Sequence, residues 1–353
     1  EDKGGRDVSM RPELTPTLAR MAAARQRDFR KPLRWFSIGQ FFRYEKHQKG
    51  RGREFYQFNC DILGEDSRLA DAELIALSID LMLDLGFTKE EFRIRVSDRN
   101  AWVEFAFRSG VSEDRLVEFL QIVDRMERTS PEKTEELLAS FGVELEKIQA
   151  FVAEGAEASE DLSGILANLE ARGFSDYVEI DLGIVRGLAY YTGPVFEIFD
   201  IGKGMRAVAG GGRYDQLVGL IGGVDLPACG FAMGDMVITD LIRESSGANA
   251  RLEDAVAAEQ SVDVYVVVAD EEKRAESARV VQELRASGMR VHYPFTEMKI
   301  GKQFQAAEQA GATHAVVVGA EYPELTLKTL ATRSETVTTL ERLAETLASA
   351  SGS

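Results

Sequence analysis

The stretch Arg34–Gly64, RWFSIGQFFRYEKHQKGRGREFYQFNCDILG, decides how the chain is read. Its two arms, Trp35 to Tyr44 and Glu54 to Leu63, carry the aromatic and β-branched residues of strands. Between them Lys46 to Arg53 holds two glycines and four fixed charges, the composition of a connecting loop. Such a hairpin is expected to hold Arg43 inside a cleft with a cationic loop above it. That placement suits a triphosphate, because a planar guanidinium grips phosphate oxygens in two places. In the second arm Gln57, Asn59 and Asp61 alternate, so strand geometry turns all three to one face.

Working outward, Ser67 to Leu85 has apolar residues at helical spacing, Phe92 to Val96 reads as a strand, and Ser97 to Asn100 reads as a turn. Residues from about 101 to 172 are rich in Glu, Leu and Ala with helical periodicity, which predicts an inserted, mostly helical unit. Strands and tight glycine turns dominate from Tyr177 to Asp200, a helix is expected at Tyr214 to Leu220, and Leu226 to Met233 gives a last strand leading into a helix. The segment Glu244 to Gln260 has little apolar pattern and is read as a linker. Beyond it, strands at Val262 to Ala269, Arg290 to His292 and Ala315 to Val318 alternate with helices at Glu271 to Ser287 and Ile300 to Ala310, an α/β pattern.

With 353 residues the chain can bury two or three cores without disulfides or metal. Hydrophobic residues at 44% and charged residues at 29% describe a globular protein; no run approaches the roughly 18 apolar residues of a membrane span, and no signal-peptide pattern opens the chain. No membrane association and a cytoplasmic setting are therefore expected. Cys60 and Cys229 lie in apolar surroundings outside any C-x-x-C pair, so both are expected to be buried thiols. His47, His292 and His314 are the only histidines and lack metal-ligand spacing, so no protein-bound metal is predicted. A net charge of −17 repels nucleic acid at long range, yet from Arg20 to Arg53 eleven Lys and Arg face two acids. An RNA end could dock on that stretch alone.

The hairpin resembles motif 2 of class II aminoacyl-tRNA synthetases, and FRYEKHQKGRGREFYQFNCDILG is similar to its histidyl-tRNA synthetase form. Three more segments in the same order strengthen the likeness: Arg11 to Thr15, RPELT; Val185 to Asp200, VRGLAYYTGPVFEIFD; and Ala209 to Leu217, AGGGRYDQL. The resemblance implies an α+β catalytic domain on a mostly antiparallel sheet, with a helical insertion, followed by a C-terminal α/β anticodon-binding domain that KIGKQFQAAEQAGATHAVVVG also resembles. The expected division is residues 1–100 and 173–246 for the catalytic domain, 101–172 for the insertion, 247–261 for the linker and 262–353 for the anticodon-binding domain. The chain opens on EDKGGRDVSMRPELT without an initiator Met. The family's motif 1, which builds much of its homodimer interface, is expected upstream, so the sequence is read as a fragment lacking it.

The implied activity is ATP-dependent formation of histidyl-adenylate and transfer of the acyl group to the 3′ end of tRNA(His), with L-histidine, ATP, Mg2+ and tRNA(His) as partners and a homodimer as the assembly. No protein nucleophile is needed, since the substrate carboxylate attacks the α-phosphorus; the work left to the protein is positioning and charge neutralisation. Carried over from the resemblance, Arg43 and Arg186 match the arginines that hold the α-phosphate. Glu13, Thr15, Gln57 and Asp61 match positions that hold the amino acid, and Tyr191 and Tyr214 match tyrosines near its imidazole. Glu45 and Glu54 are candidates beside ATP and its magnesium, and Gln48, Lys46 and Arg51 match the part of the loop that meets the tRNA acceptor end. Competing assignments are a salt bridge from Arg43 to Glu45 or Glu54, and plain core roles for the tyrosines. The glycines Gly210 to Gly212 permit close backbone approach to a ligand.

Motif 3 departs from the pattern. The family's G-F-A-x-G is followed by a hydrophobic residue, Glu and Arg; this chain reads GFAMGDMV, with Met236 and Val237 in place of the Glu and Arg. One phosphate-handling cation is thereby missing. The alternative reading is a non-catalytic paralogue similar to the regulatory subunit of ATP phosphoribosyltransferase, although that paralogue generally lacks the anticodon-binding domain and parts of the histidine signature.

Overall fold

The computed structural model describes residues 1–44, 50, 52–126, 129–184, 190–202, 204 and 207–351, and the chain forms two compact units, Glu1–Asn249 and Ala250–Ser353.

The first unit is built on the hairpin. β1 (Leu33–Phe42) and β2 (Glu54–Leu63) pair antiparallel over their whole length, with Gly39 opposite Gln57 and Trp35 opposite Asp61. After β3 (Phe92–Asp98), β4 (Val178–Ile180), β5 (Pro194–Asp200), β6 (Ala209–Arg213) and β7 (Ala228–Gly234), the sheet order among the described residues is β1-β2-β7-β6-β5-β3-β4. Only the β3–β4 pair is parallel among these neighbours. One face is covered by α2 (Leu69–Asp84), whose Leu74, Ile75, Ile79 and Met82 are buried against Phe92, Ile94, Phe196 and Phe231. The other face is left for the site, flanked by α1 (Thr15–Arg25).

The helical segment comprises α3 (Arg99–Arg108), α4 (Leu116–Arg125), α5 (Pro131–Ala139), α6 (Leu145–Glu154) and α7 (Glu160–Ala171). Where the sequence predicts a turn at Ser97 to Asn100, β3 runs on to Asp98 and its carboxylate caps α3 by accepting from the Asn100 N–H at 2.9 Å. At the centre of these helices Phe105 stacks with Phe119 and Phe151 while Trp102 meets Phe105 and Phe151 edge to face, and the Trp102 indole N–H donates to the Leu182 carbonyl at 2.7 Å. Their core is continuous with that of the sheet.

After α8 (Leu217–Gly222) and α9 (Asp235–Glu244), the segment read as an irregular linker is instead helix α10 (Ser246–Gln260). Only Ala248 is buried along it, so no apolar stripe announces it; the helix rests on the intrinsic propensity of Ala, Leu, Glu and Gln. The boundary between the two units falls inside this helix.

In the second unit β8 (Val264–Val268) is buried at every residue, as a central parallel strand is. With β9 (Val291–His292), β10 (His314–Val318), β11 (Glu324–Thr329) and β12 (Glu335–Thr339) it makes a sheet of order β12-β11-β10-β8-β9, in which β10, β8 and β9 are parallel and the other pairs antiparallel. The helices α11 (Arg274–Ala286), α12 (Ile300–Gln309) and α13 (Leu343–Ser351) complete it.

Candidate active site

A cleft of about 610 Å³ opens over the middle of the seven-stranded sheet. Strand register explains its shape. One row across the sheet runs Trp35, Asp61, Gly230, Gly212, Val195, and the next runs Ser37, Asn59, Ala232, Gly210, Glu197. The central strands therefore offer Gly and Ala as a floor, while β2 supplies a polar wall of Gln57, Asn59 and Asp61 and β5 supplies Glu197 and Phe199. Glu13 and Thr15 close the cleft from the start of α1, and Tyr190, Tyr191 and Tyr214 form its end.

The deepest polar contact is between Tyr214 and Asp61. The buried phenol donates to Asp61 Oδ1 at 2.5 Å. Burial raises the Asp61 carboxyl to about 7, opposed by the Tyr214 hydrogen bond. The same burial and the neighbouring carboxylate push the Tyr214 phenol well above its ordinary range, so it stays a donor. Gly230 makes the geometry possible, since a Cβ there would lie 2.1 Å from Asp61 Oδ1. Nearer the opening, Tyr190 donates to Glu13 Oε2 at 3.0 Å.

Tyr214 is held from behind. Its neighbour Arg213 is fully buried and grips Asp71 of α2 through Nε at 3.0 Å and Nη2 at 2.6 Å. Nη1 reaches the Glu65 carbonyl and Asp215, each at 3.0 Å, and Nη2 also reaches the Ser67 carbonyl. A buried guanidinium with this many partners ties β6, α2 and the end of the hairpin together.

Arg43 follows β1 and lines the same cleft. Its backbone N–H pairs with the Arg53 carbonyl at 2.9 Å, its Nε donates to the Pro12 carbonyl at 2.9 Å, and its guanidinium lies 5.0 Å from the Phe55 ring centroid. The competing salt bridge to Glu54 is not made: Glu54 instead accepts from Gln40, and it does not line the cleft. The two terminal nitrogens of Arg43 have no partner among the described residues.

Of the residues singled out from sequence, Glu13, Thr15, Arg43, Gln57, Asp61, Tyr191 and Tyr214 are brought to one cleft. Arg186, Glu45, Lys46, Gln48 and Arg51 lie outside the described residues. Ile184 and Tyr190, the described residues nearest Arg186 on either side, both line the cleft. Sequence reasoning missed Tyr190, Glu197 and Asp124, the last of which reaches the lining from α4. At the departed motif 3, a Cβ on Gly50 would meet Val237 Cγ2 at 3.1 Å and one on Gly52 would meet the Met236 sulfur at 3.4 Å. Hydrocarbon thus fills the place where the resemblance implies an arginine.

A mostly antiparallel sheet with an open, polar face of this kind, followed by a separate α/β unit, defines a class II aminoacyl-tRNA synthetase fold. The histidyl-tRNA synthetase family profile matches residues 1–236, and an anticodon binding domain profile matches residues 263–350. The chain belongs to the histidyl-tRNA synthetase family. It is 39% identical to the histidine–tRNA ligase of Opitutus terrae, over 95% of this chain and 80% of that protein. It is 36% identical to the chloroplastic/mitochondrial histidine–tRNA ligase of Arabidopsis thaliana, over 90% and 67% respectively. The crystal structure of histidyl-tRNA synthetase from Nostoc sp. PCC 7120 superposes with a TM-score of 0.70 at 25% identity, covering 96% of this chain and 82% of that one.

Proposed function

We propose that the cleft couples L-histidine to ATP and passes the histidyl group to the 3′ end of tRNA(His), the reaction of a histidine–tRNA ligase. A carboxylate oxygen of histidine attacks the α-phosphorus, the bond to pyrophosphate breaks, and the mixed anhydride is then opened by a ribose hydroxyl of the tRNA. The observation that carries this reading is that Arg43 and the Asp61–Tyr214 pair line one cleft. Cation and imidazole acceptor thus share a single cavity.

In this reading Arg43 draws off charge that grows on the α-phosphate, and Arg186 takes a second grip. Two preorganised cations act on charge that develops only as the new bond forms. Glu13 receives the α-ammonium, with Thr15 and Gln57 beside it. Asp61, Tyr191 and Tyr214 read the ring: a side chain lacking a ring N–H would leave a buried acceptor unpaired, which is the strong form of discrimination. Gln48, Lys46 and Arg51 are assigned to the acceptor end of the tRNA. Magnesium arrives on the ATP phosphates as part of the substrate, with Glu45 the carboxylate proposed beside it. Glu54, already engaged by Gln40, is the weaker choice.

Self-association fits the surface of β1, an edge strand among the described residues, where Phe36 is 73% and Ile38 67% exposed. Two unpaired, buried thiols, Cys60 and Cys229, suit a reducing cytoplasm. The proposed division keeps residues 1–100 and 173–246 as the catalytic domain, 101–172 as the insertion and 262–353 as the anticodon-binding domain, with helix α10 (Ser246–Gln260) in place of the irregular linker expected at 247–261. The regulatory-subunit reading draws on the apolar Met236 and Val237, but it leaves the second unit without a task. Histidine-dependent exchange of pyrophosphate into ATP tests the assignment; loss of exchange in Arg43→Ala is expected, and full exchange in that variant contradicts it.

A further inference from the structure

Two arginines are held alike beside the cleft. Arg43 Nε donates to the Pro12 carbonyl and Arg11 Nε donates to the Gln40 carbonyl, each at 2.9 Å, so each segment fixes the guanidinium of the other. Arg43 then lies 5.0 Å from the Phe55 ring centroid and Arg11 4.8 Å from that of Phe41, and the two rings are 6.1 Å apart. The Phe42 N–H donates to the Arg11 carbonyl at 2.9 Å, which fixes the backbone from which this side chain starts. Bonded through Nε and laid on a ring, a guanidinium keeps its terminal nitrogens for a ligand at little entropic cost. Arg11 is exposed, and its terminal nitrogens have neither an ion pair nor a hydrogen-bond partner among the described residues.

Register puts Arg11 on the cleft face of the hairpin. Gly39 and Phe41 stand opposite Gln57 and Phe55, and the alternate residues Gln57, Asn59 and Asp61 line the cleft. Gly39 leaves the room that Arg11 occupies, since a Cβ there would lie 3.1 Å from its Nη2. On the other side of β2, Gln57 pairs with Gly234, after which Met236 and Val237 supply hydrocarbon where the resemblance implies a phosphate-handling cation. The start of β2 is thus flanked by Arg11 on the β1 side and by the departed motif 3 on the β7 side. An ATP whose α-phosphate rests on Arg43 needs a further cation for its outer phosphates, and an unengaged guanidinium fork fits that chemistry.

We propose that Arg11 grips the β- or γ-phosphate of ATP and so does the work of the arginine missing at position 237. The proposal rests on the ligase reading for the identity of the nucleotide. Those phosphates leave as pyrophosphate, so Arg11 acts on ATP and on the departing group and takes no part in holding the finished adenylate.

The test measures equilibrium binding of ATP with magnesium, of AMP and of a non-hydrolysable sulfamoyl mimic of histidyl-adenylate to the whole protein, with pyrophosphate exchange run in parallel. Arg11→Ala is expected to weaken the ATP Kd about tenfold or more, the scale of one lost charge-assisted hydrogen bond, and to leave the other two Kd values alone. Arg11→Lys should recover only part of the loss, as a point charge without the fork. Adding Val237→Arg to Arg11→Ala should regain most of it. An unchanged ATP Kd in Arg11→Ala overturns the proposal, as does a loss shared equally by AMP and the mimic, which would make Arg11 a brace for the hairpin alone. A double variant that binds AMP as the parent does, yet ATP as weakly as Arg11→Ala, also contradicts it. Absence of exchange in the parent protein counts against the ligase reading alone, because the ATP comparison needs no turnover.

Discussion

The Tyr214 hydroxyl donates to Asp61 Oδ1 at 2.5 Å on the cleft face of the seven-stranded sheet, and Gly230 supplies the space in which that carboxylate lies. The contact sets the pH response of the site. Asp61 sits at about 7 because burial penalises its charge, and the Tyr214 hydrogen bond works against that penalty. An imidazole N–H needs the ionised acceptor, so KM for histidine should fall as pH rises from about 6 to 8. Tyr214→Phe removes the group that favours the carboxylate. Its inflection should move to higher pH, and an unmoved profile would separate Asp61 from histidine recognition.

The same carboxyl makes the unliganded protein lose stability as pH rises. Its pKa is about 7 in the fold against 3.8 for an unperturbed aspartate, so between those values the folded state holds a proton that the unfolded state has released. The stabilising contribution is whole below about 3.8 and gone above about 7. The span corresponds to at most on the order of 4 kcal/mol. Asp61→Asn should flatten this part of a denaturant-midpoint profile taken from pH 5 to 8; a profile identical to that of the parent would show that Asp61 titrates normally.

Gly230→Ala should separate binding from folding. The new methyl would stand 2.1 Å from Asp61 Oδ1 and 2.9 Å from the Cys60 carbonyl, so the carboxylate must leave its place beside Tyr214. KM for histidine is expected to rise roughly tenfold or more, on the scale of losing one well-placed polar contact. KM for ATP should change little. Steady-state exchange kinetics varying each substrate in turn will show whether the two respond apart.

Arg43→Ala should raise the barrier to adenylate formation by about 2–4 kcal/mol, and Arg186→Ala by a similar amount. Arg43→Lys should recover little, because an ammonium cannot span two phosphate oxygens. Single-turnover adenylate formation measures this directly. A lysine variant as fast as the parent would reduce Arg43 to a general source of positive charge.

Much of the catalytic unit is legible in the sequence because its signals are local. The hairpin arms alternate, and Gln57, Asn59 and Asp61 all reach the cleft as their spacing requires. What escapes has a physical cause in each instance. Helix α1 starts two residues after Glu13 with Ala and Arg mixed around it, buries only Ala19 and Ala22, and so shows no stripe. Helix α10 has the same defect over a greater length. The strands β11 and β12 are short and threonine-rich, and β12 leaves Val337 exposed, which erases the alternation that marks a half-buried strand. Tyr190 hides beside Tyr191 in sequence, yet its hydroxyl goes to Glu13, 177 residues earlier in the chain. Asp124 joins the lining from the helical segment, a juxtaposition that tertiary packing alone creates.

The most direct measurement is the amino-acid dependence of pyrophosphate exchange by the protein. Exchange should appear with L-histidine and be absent, within the noise of the assay, with L-phenylalanine and L-glutamine, which offer a flat ring or an amide but no imidazole. A folded protein that exchanges with none of the three, or equally with all, would contradict a cleft in which Asp61 and Tyr214 read the ring while Arg43 holds the phosphate.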